Sequence, residues 1–428
     1  MSLTLHQREI TDNILESLKT NRFTLLSGRA GTGKTFSTKF IIQDIIARHK
    51  SVAITSTTNQ AASVLSEEIS TEQTMLVQTI NKFLRMKPVY ESSVFTLRTD
   101  DYSRIDIVDV LIVEEFSMLT EEVIKTLNRY IDEFNTKLKV LLVGDATQLI
   151  LEPDSIKMLD IDDHSYFLEE PMRADKDSAI AEYGFGASAA IRAKEKPPAI
   201  DFENIQDIVK YSDHEEFIEA WKKSTKDLNA EDMKILCFTN AKVKSYNKNI
   251  KELYHNQTTE YAPGNVIVLR NPVALQGSKA YMAPNIMLPN NSRVKIKQVE
   301  ELTINMEGQD PEKGWTIYPE GYDGKYFYIP KSKASLERFL KPLLDKKSWQ
   351  SYYKNKDMFA FAHHAEAGTC HSAQGSSFEE VFIDASDIMT AQNFRNRLAY
   401  VAITRARKKV HIYLGTGERN FNAFKNKP

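Results

Sequence analysis

Eight residues constrain this chain more than any others: Gly28-Arg29-Ala30-Gly31-Thr32-Gly33-Lys34-Thr35. They fit G-x-x-x-x-G-K-[ST], a phosphate-cradling loop. Phe23-Thr24-Leu25-Leu26 leads in as a short apolar strand, and Phe36 through Arg48 follows with Phe40, Ile41, Ile45 and Ile46 at helical spacing. The chemistry needs this order of strand, glycine loop and helix. Glycines let backbone N–H groups close around phosphate oxygens, and the helix N-terminus adds its positive dipole end. Gly28, Ala30, Gly31, Thr32, Gly33 and Phe36 are the expected cradle. Lys34 is expected to reach the β- and γ-phosphates of ATP, and the Thr35 hydroxyl to ligate Mg²⁺. A chance glycine turn before a helix is the plain alternative, and both flanks weigh against it.

A chain of 428 residues has room for two or three domains. Its net charge of −2 gives no overall basic bias, so a nucleic-acid partner would have to sit in a local groove. Cys237 and Cys370 are the only cysteines, which indicates neither a disulfide framework nor a zinc site. No apolar run approaches transmembrane length, and the N-terminus lacks a signal-peptide apolar region. A cytoplasmic location without a membrane partner is the expectation.

Strands are expected at Phe23–Leu26, Val52–Thr55, Val108–Val113 and Val140–Val143, and helices at Gln7–Lys19, Phe36–Arg48, Asn59–Glu68 and Glu121–Phe134. This alternation is α/β and indicates a parallel, doubly wound sheet. Met86 to Ser103 interrupts it as a small extended excursion or hairpin. A second α/β pattern starts at Ile235–Thr239, with a helix over Val243–Tyr254. It resumes near Ala367 with strand Glu380–Ile383, helix Ala391–Ile403 and strand Val410–Leu414. It has no second phosphate loop. Between its two parts, Pro263 to Lys331 carries β-type residues and turn signals that suggest a small antiparallel barrel. Ala334 to Asp357 reads as a lysine-rich helical segment, and its charge run as a solvated face in preference to a binding surface.

A phosphate loop needs a carboxylate for Mg²⁺ and a group to orient water. Val110-Leu111-Ile112-Val113 ends at Glu114-Glu115, at the carboxyl end of a buried strand, where ligands bind in such sheets. Glu114 is assigned to the metal shell and Glu115 to water activation; a surface pair of glutamates opening a loop is the alternative. Val143-Gly144-Asp145-Ala146-Thr147-Gln148 ends the next strand similarly. Gln148 is the candidate sensor of the γ-phosphate or attacking water, with Asp145 a candidate support of the metal shell. Arginine commonly meets the charge of a transferring phosphoryl group; Arg173 and Arg405 stand out, though any single arginine is a surface residue by default.

Taken in order, Gly28–Thr35, Ile112–Met118, Gly144–Leu149, Pro171–Arg173, Phe238–Asn240, Thr369–Gly375 and Val401–Arg407 resemble the motifs of superfamily 1 helicases, RecD-like B group, over nearly the whole chain. The resemblance implies two RecA-like domains, with a pin-like hairpin in the first and an SH3-like barrel in the second. The implied boundaries are 1–175 with the insert 86–103, then 176–260 with 363–428, and 261–362 for the barrel and its helices. ATP would lie in the cleft, read by Gln7, with Arg173 and Arg405 meeting the γ-phosphate from across it and Gln374 and Gly375 nearby. Single-stranded DNA would run over both domains, gripped by Thr58, Asn59, Thr79 and Asn81, then by Thr239, Asn240, Thr369, His371 and Ser372. Phe95 or Tyr90 would tip the pin, stacking on a base pair, or pack it onto the first domain. The chain departs from the family pattern in having Glu114 where aspartate is usual and Asn59 and Asn81 where histidine is frequent.

The expectation is therefore an ATP-dependent DNA helicase, 5′ to 3′ by resemblance alone. It would act as a monomer on single strands and forked duplex, with a single-strand-binding protein a candidate partner. Two alternatives stay open: an RNA translocase, which would exploit 2′-OH contacts, and an ATP-gated DNA-loading scaffold that separates no duplex.

Overall fold

The computed structural model describes residues 2–29, 31–57, 75–91, 94–99, 104–148, 156–170, 178–198, 207–226, 228, 232–254, 259–277, 286–288, 290, 292–304, 312–391 and 394–415. Two parallel sheets and one antiparallel sheet organise it. The first sheet has six strands in the order Met75–Thr79, Val52–Ser56, Val110–Glu114, Lys139–Gly144, Phe23–Gly28, Ser165–Leu168. Every pairing in it is parallel. Its central strands are buried along their length, which is why Val110–Val113 is apolar without alternation. Helices Leu5–Thr20, Lys34–Ala47 and Glu121–Phe134 cover it. The last buries Val123, Ile124, Leu127, Tyr130 and Ile131, one helical stripe. Thr120 caps its first turn through Val123 N–H.

The second parallel sheet has five strands in the order Ala367–Thr369, Met233–Cys237, Phe378–Asp384, Ala406–Tyr413, Ile208–Tyr211. Helix Ala179–Ala193 and helix Arg395–Ile403 pack on one another, and the core there is Leu398 to Ile403 against Val381, Ile383, Val410 and Ile412. The expected α/β class with two parallel sheets is present. The strands that sequence reading missed include three at sheet edges, Met75–Thr79, Ser165–Leu168 and Ile208–Tyr211; helices Ala179–Ala193 and His214–Ser224 were missed too.

Met86–Glu91 and Val94–Thr99 pair as the expected hairpin. The insert in the second half is a six-stranded antiparallel sheet, running from an edge at Gln276–Gly277 through Lys325–Pro330, Glu312–Pro319, Arg293–Ile304 and Val266–Leu269 to Ala362–His364. The lysine-rich segment is two helices, Lys333–Asp345 and Trp349–Lys356, broken where Lys347 takes a left-handed backbone with φ 53°. The expected helix Asn59–Glu68 lies outside the described residues. No helix among the described residues is long and apolar enough to cross a membrane.

Candidate nucleotide cleft and polar seam

The phosphate loop leaves its strand at Gly28 and enters helix Lys34–Ala47. Gly31 and Gly33 have φ 84° and 83°, a region that side chains disfavour, and this turns successive backbone groups toward the loop interior. Lys34 Nζ donates to the carbonyls of Gly28 at 2.7 Å and Arg29 at 2.9 Å. The cation therefore already points into the loop. Thr35 follows in the first helical turn, half-buried, and Phe36 packs edge-on against Phe40. Gln7 is almost fully buried. Its Oε1 accepts from Thr4 N–H, and its Nε2 donates to Thr32 O at 3.2 Å, tying the first helix to the loop. Ala30 lies outside the described residues.

Two strands of the same sheet end near this loop, Lys139–Gly144 next to the loop's own strand and Val110–Glu114 one further out. Glu114 is the last residue of its strand and 7% exposed. Glu115 follows with φ 57° and ψ 44°, left-handed for a side-chain-bearing residue, and its carbonyl accepts from Thr57 Oγ1. Asp145 is buried and fully engaged. Its Oδ1 accepts from Thr147 N–H and Oγ1, and its Oδ2 from Tyr400 OH at 2.6 Å and Gln148 Nε2 at 3.4 Å. Its oxygens hold the Thr147–Gln148 turn and a tyrosine of helix Arg395–Ile403.

That tyrosine belongs to a wall contributed by the second half. A Cβ built on Gly375 falls 3.6 Å from Glu115 Oε1, and Gln374 Nε2 approaches Gln148 Oε1 at 3.5 Å. Arg397 Nη1 donates to Gln148 O at 2.6 Å and Ala146 O at 2.9 Å. Burial draws its guanidinium pKa down, partly offset by Asp145. Burial and Asp145 push the Tyr400 phenol well up, which keeps it protonated as the donor. From the loop side, Arg29 Nη1 donates to Ala181 O at 3.1 Å, and its guanidinium stacks over the Phe185 ring. Gly184 permits that approach, because a Cβ there would meet Arg29 Nη1 at 2.8 Å.

Among the described residues, the hydrogen bonds of Arg405 stay within its own half. It is 3% exposed and bonds to Val401 O, Ser376 O and Thr404 Oγ1. The reason is local: the turn from helix Arg395–Ile403 into strand Ala406–Tyr413 folds the side chain back under the Gln374–Ser376 loop. The arginine that crosses from this half is Arg397, which sequence reading missed. Its only sequence signal is its position two turns before Arg405, just ahead of the mainly apolar run Leu398–Ile403. Arg173 lies outside the described residues.

The expected polynucleotide contacts form polar loop ends on both sheets. In the first, Thr79 caps a short helical turn through Lys82 N–H, and Asn81 sits in that turn, half-buried. In the second, Thr239 caps helix Asn240–Asn249, and Asp387 fixes it by accepting from Phe238 N–H, Thr239 N–H and Thr239 Oγ1 at 2.7–2.9 Å. Asn240 Oδ1 accepts from Arg270. Thr369 accepts from Ser372 N–H and Oγ, and the His371 ring lies 6.4 Å from Phe238, its pKa lowered by burial. Thr58 and Asn59 lie outside the described residues, as do the side chains of Tyr90 and Phe95.

A phosphate loop facing a second parallel sheet across strand-end carboxylates defines a two-sheet nucleotide-binding protein. A family model described as an AAA domain matches residues 11–153, and one described as a UvrD-like helicase C-terminal domain matches residues 364–413. The ATP-dependent DNA helicase dda of Enterobacteria phage T4 is 23% identical over 442 residues, covering 95% of this chain and 98% of that protein. An uncharacterised protein of Methanocaldococcus jannaschii is 25% identical over 96% of this chain and 38% of its own length. Among solved structures, the Pif1 helicase from Candida albicans covers 99% of this chain and 95% of its own, at 14% identity and a TM-score of 0.47. The chain is thus similar to helicases, with an AAA domain followed in sequence by a UvrD-like helicase C-terminal domain.

Proposed function

We propose that this protein is an ATP-dependent DNA helicase that tracks along one strand 5′ to 3′ and separates duplex in replication, recombination or repair. The observation that carries the reading is one loop. Thr369, His371 and Ser372 stand at its start, and Gln374 and Gly375 stand at its end against Gln148 and Glu115. A change in the cleft is thereby a change in the polar seam. The phage relative, aligned over nearly its full length, is itself an ATP-dependent DNA helicase.

In this reading residues 1–175 are the first motor domain, with 86–103 as its pin. Residues 176–260 and 363–428 are the second, and 261–362 its insert. The donor set fits Mg²⁺, a hard cation that takes hydroxyl and carboxylate oxygen. Thr35 and Glu114 would hold it, and it would neutralise phosphate charge. Lys34 leaves its two carbonyl partners for the β- and γ-phosphates of ATP. Glu115 accepts the proton of the attacking water as the bond from the γ-phosphorus to ADP oxygen breaks, releasing ADP and phosphate. Gln148 reports the γ-position to Gln374. Arg405 acts by holding the Gln374–Ser376 loop. Hydroxyl and amide groups of the seam suit gripping of a phosphate backbone, which carries no sequence information.

The test is ATP turnover with and without single-stranded DNA, and with a matched RNA. Strong stimulation by DNA is expected, with RNA weaker. Turnover indifferent to DNA sinks the motor reading, and a preference for RNA replaces it with a translocase on RNA.

A further inference from the structure

Resting on that reading, we propose that the helix pair Lys333–Asp345 and Trp349–Lys356 is a second binding surface for single-stranded nucleic acid, outside the seam between the two parallel sheets. Two independent features converge on it. The first is charge. From Lys331 to Lys356 there are eight cationic side chains and two anionic ones, a net +6 in a chain whose total is −2. Lys331, Lys333, Arg338, Lys341, Lys346, Lys347 and Lys354 are all exposed.

The second feature is aromatic. Trp349 is 54% exposed and Tyr353 44% exposed, four residues apart and so on one face of their helix. Tyr352 meets Tyr353 edge-on at 5.2 Å, and Lys356 Nζ lies 5.8 and 6.0 Å from the two tyrosine rings. Tyr352 packs against the core beneath, but Trp349 and Tyr353 are not part of it. The pair is already rooted on the antiparallel sheet by Leu336, Phe339 and Leu340 against Phe359 and Tyr328. It therefore has an apolar inner side and an outer side that is both basic and aromatic.

That combination selects among polyanions. Duplex offers phosphates but keeps its base faces stacked, and an acidic peptide would use the cations and leave the rings idle. A single strand presents phosphates to lysine and unstacked bases to Trp349 and Tyr353. The lysine run, read from sequence as a solvated face, gains a partner once the exposed rings are seen beside it.

The experiment measures binding of the full chain to oligothymidylates of about 8 and about 24 nucleotides by fluorescence anisotropy across a salt series, the shorter sized to occupy the seam alone. Two double variants are compared, Trp349→Ala with Tyr353→Ala, and Lys346→Glu with Lys347→Glu. Each is expected to lose about tenfold on the longer strand and to match wild type on the shorter. The charge variant is also expected to lower the slope of log affinity against log salt by about 1.4, at roughly 0.7 per phosphate. Trp349→Phe is expected to retain binding. Unchanged affinity for the longer strand in both variants overturns the proposal. So does an equal loss at both lengths, which would mean the helices act on the seam indirectly. Unwinding lost with both affinities intact overturns it as well, since the rings would then be holding another part of this chain. Wild type failing to bind either strand defeats the helicase reading itself.

Discussion

Glu115 carries its carboxylate on a backbone few side chains adopt, with φ 57° and ψ 44°. That conformation costs on the order of 1 kcal/mol, and it lets Glu115 leave a buried strand and face Gly375 of the other half. Changing Glu115 to Gln keeps the backbone and removes the proposed base. Hydrolysis is expected to fall at least 10²-fold with nucleotide affinity retained, as general-base loss predicts; a fall below tenfold would reassign the base. Lys34→Ala removes the cation that now rests on Gly28 O and Arg29 O. It should cost about 10²–10³ in turnover and leave single-strand binding in place. Tyr400→Phe deletes the 2.6 Å donor to the buried Asp145. Its cost should be about 1–3 kcal/mol in urea unfolding, because a buried carboxylate loses its best partner. A midpoint equal to wild type would mean that solvent reaches Asp145 freely.

At the scale of elements, helix Arg395–Ile403 is the bridge between the halves. Arg397 donates to Ala146 O and Gln148 O, in the turn that carries Gln148, the proposed γ-phosphate sensor. Arg397→Ala should slow DNA-stimulated turnover by tenfold or more, with Arg397→Lys recovering part, because two bonds from a charged donor vanish together. Stopped-flow phosphate release is the measurement, and wild-type rates in the alanine variant would show the contact idle. Much of this level was legible in the sequence. The strand Val110–Glu114 is buried on both faces and so reads as an unbroken apolar run. The helix Glu121–Phe134 shows its buried stripe and its threonine cap. Ser165–Leu168 and Ile208–Tyr211 were not legible, because edge strands are short, half-exposed and mixed in composition. The cross-sheet arginines escaped for another reason. Arg29 and Arg397 are chosen by what stands opposite them, Phe185 and the Gly144–Gln148 turn, and no local pattern records an opposite partner. Arg405 was legible as a residue but its hydrogen-bond partners were not, since its motif does not say which way the turn at Thr404 folds.

Across the whole molecule, the junction of the antiparallel insert with the second parallel sheet is the acid-sensitive part. His363 is held down to about 4 from 6.5 by burial first, then by the positive charges of Lys234, Arg270 and His364. The unfolded chain takes up this proton near pH 6.5 and the folded one only near 4. Stability should therefore rise with pH between those values, by an amount on the order of 3 kcal/mol for this group. Lys234, drawn down to about 7 by burial and Arg293, extends the same sign from there toward 10.5. His363→Gln should flatten the rise between pH 4 and 6.5 in urea titrations, and an unchanged slope would place its source elsewhere, His411 being the next candidate.

The central claim is that the cleft between the two parallel sheets drives a strand through the seam beside it. Unwinding of a duplex carrying either a 5′ or a 3′ single-stranded tail tests activity and direction together. The account predicts ATP-dependent strand separation on the 5′-tailed substrate, little on the 3′-tailed one, and none with Lys34→Ala. Separation of neither substrate, alongside vigorous DNA-stimulated hydrolysis, would contradict it and leave an ATP-gated clamp in place of a motor.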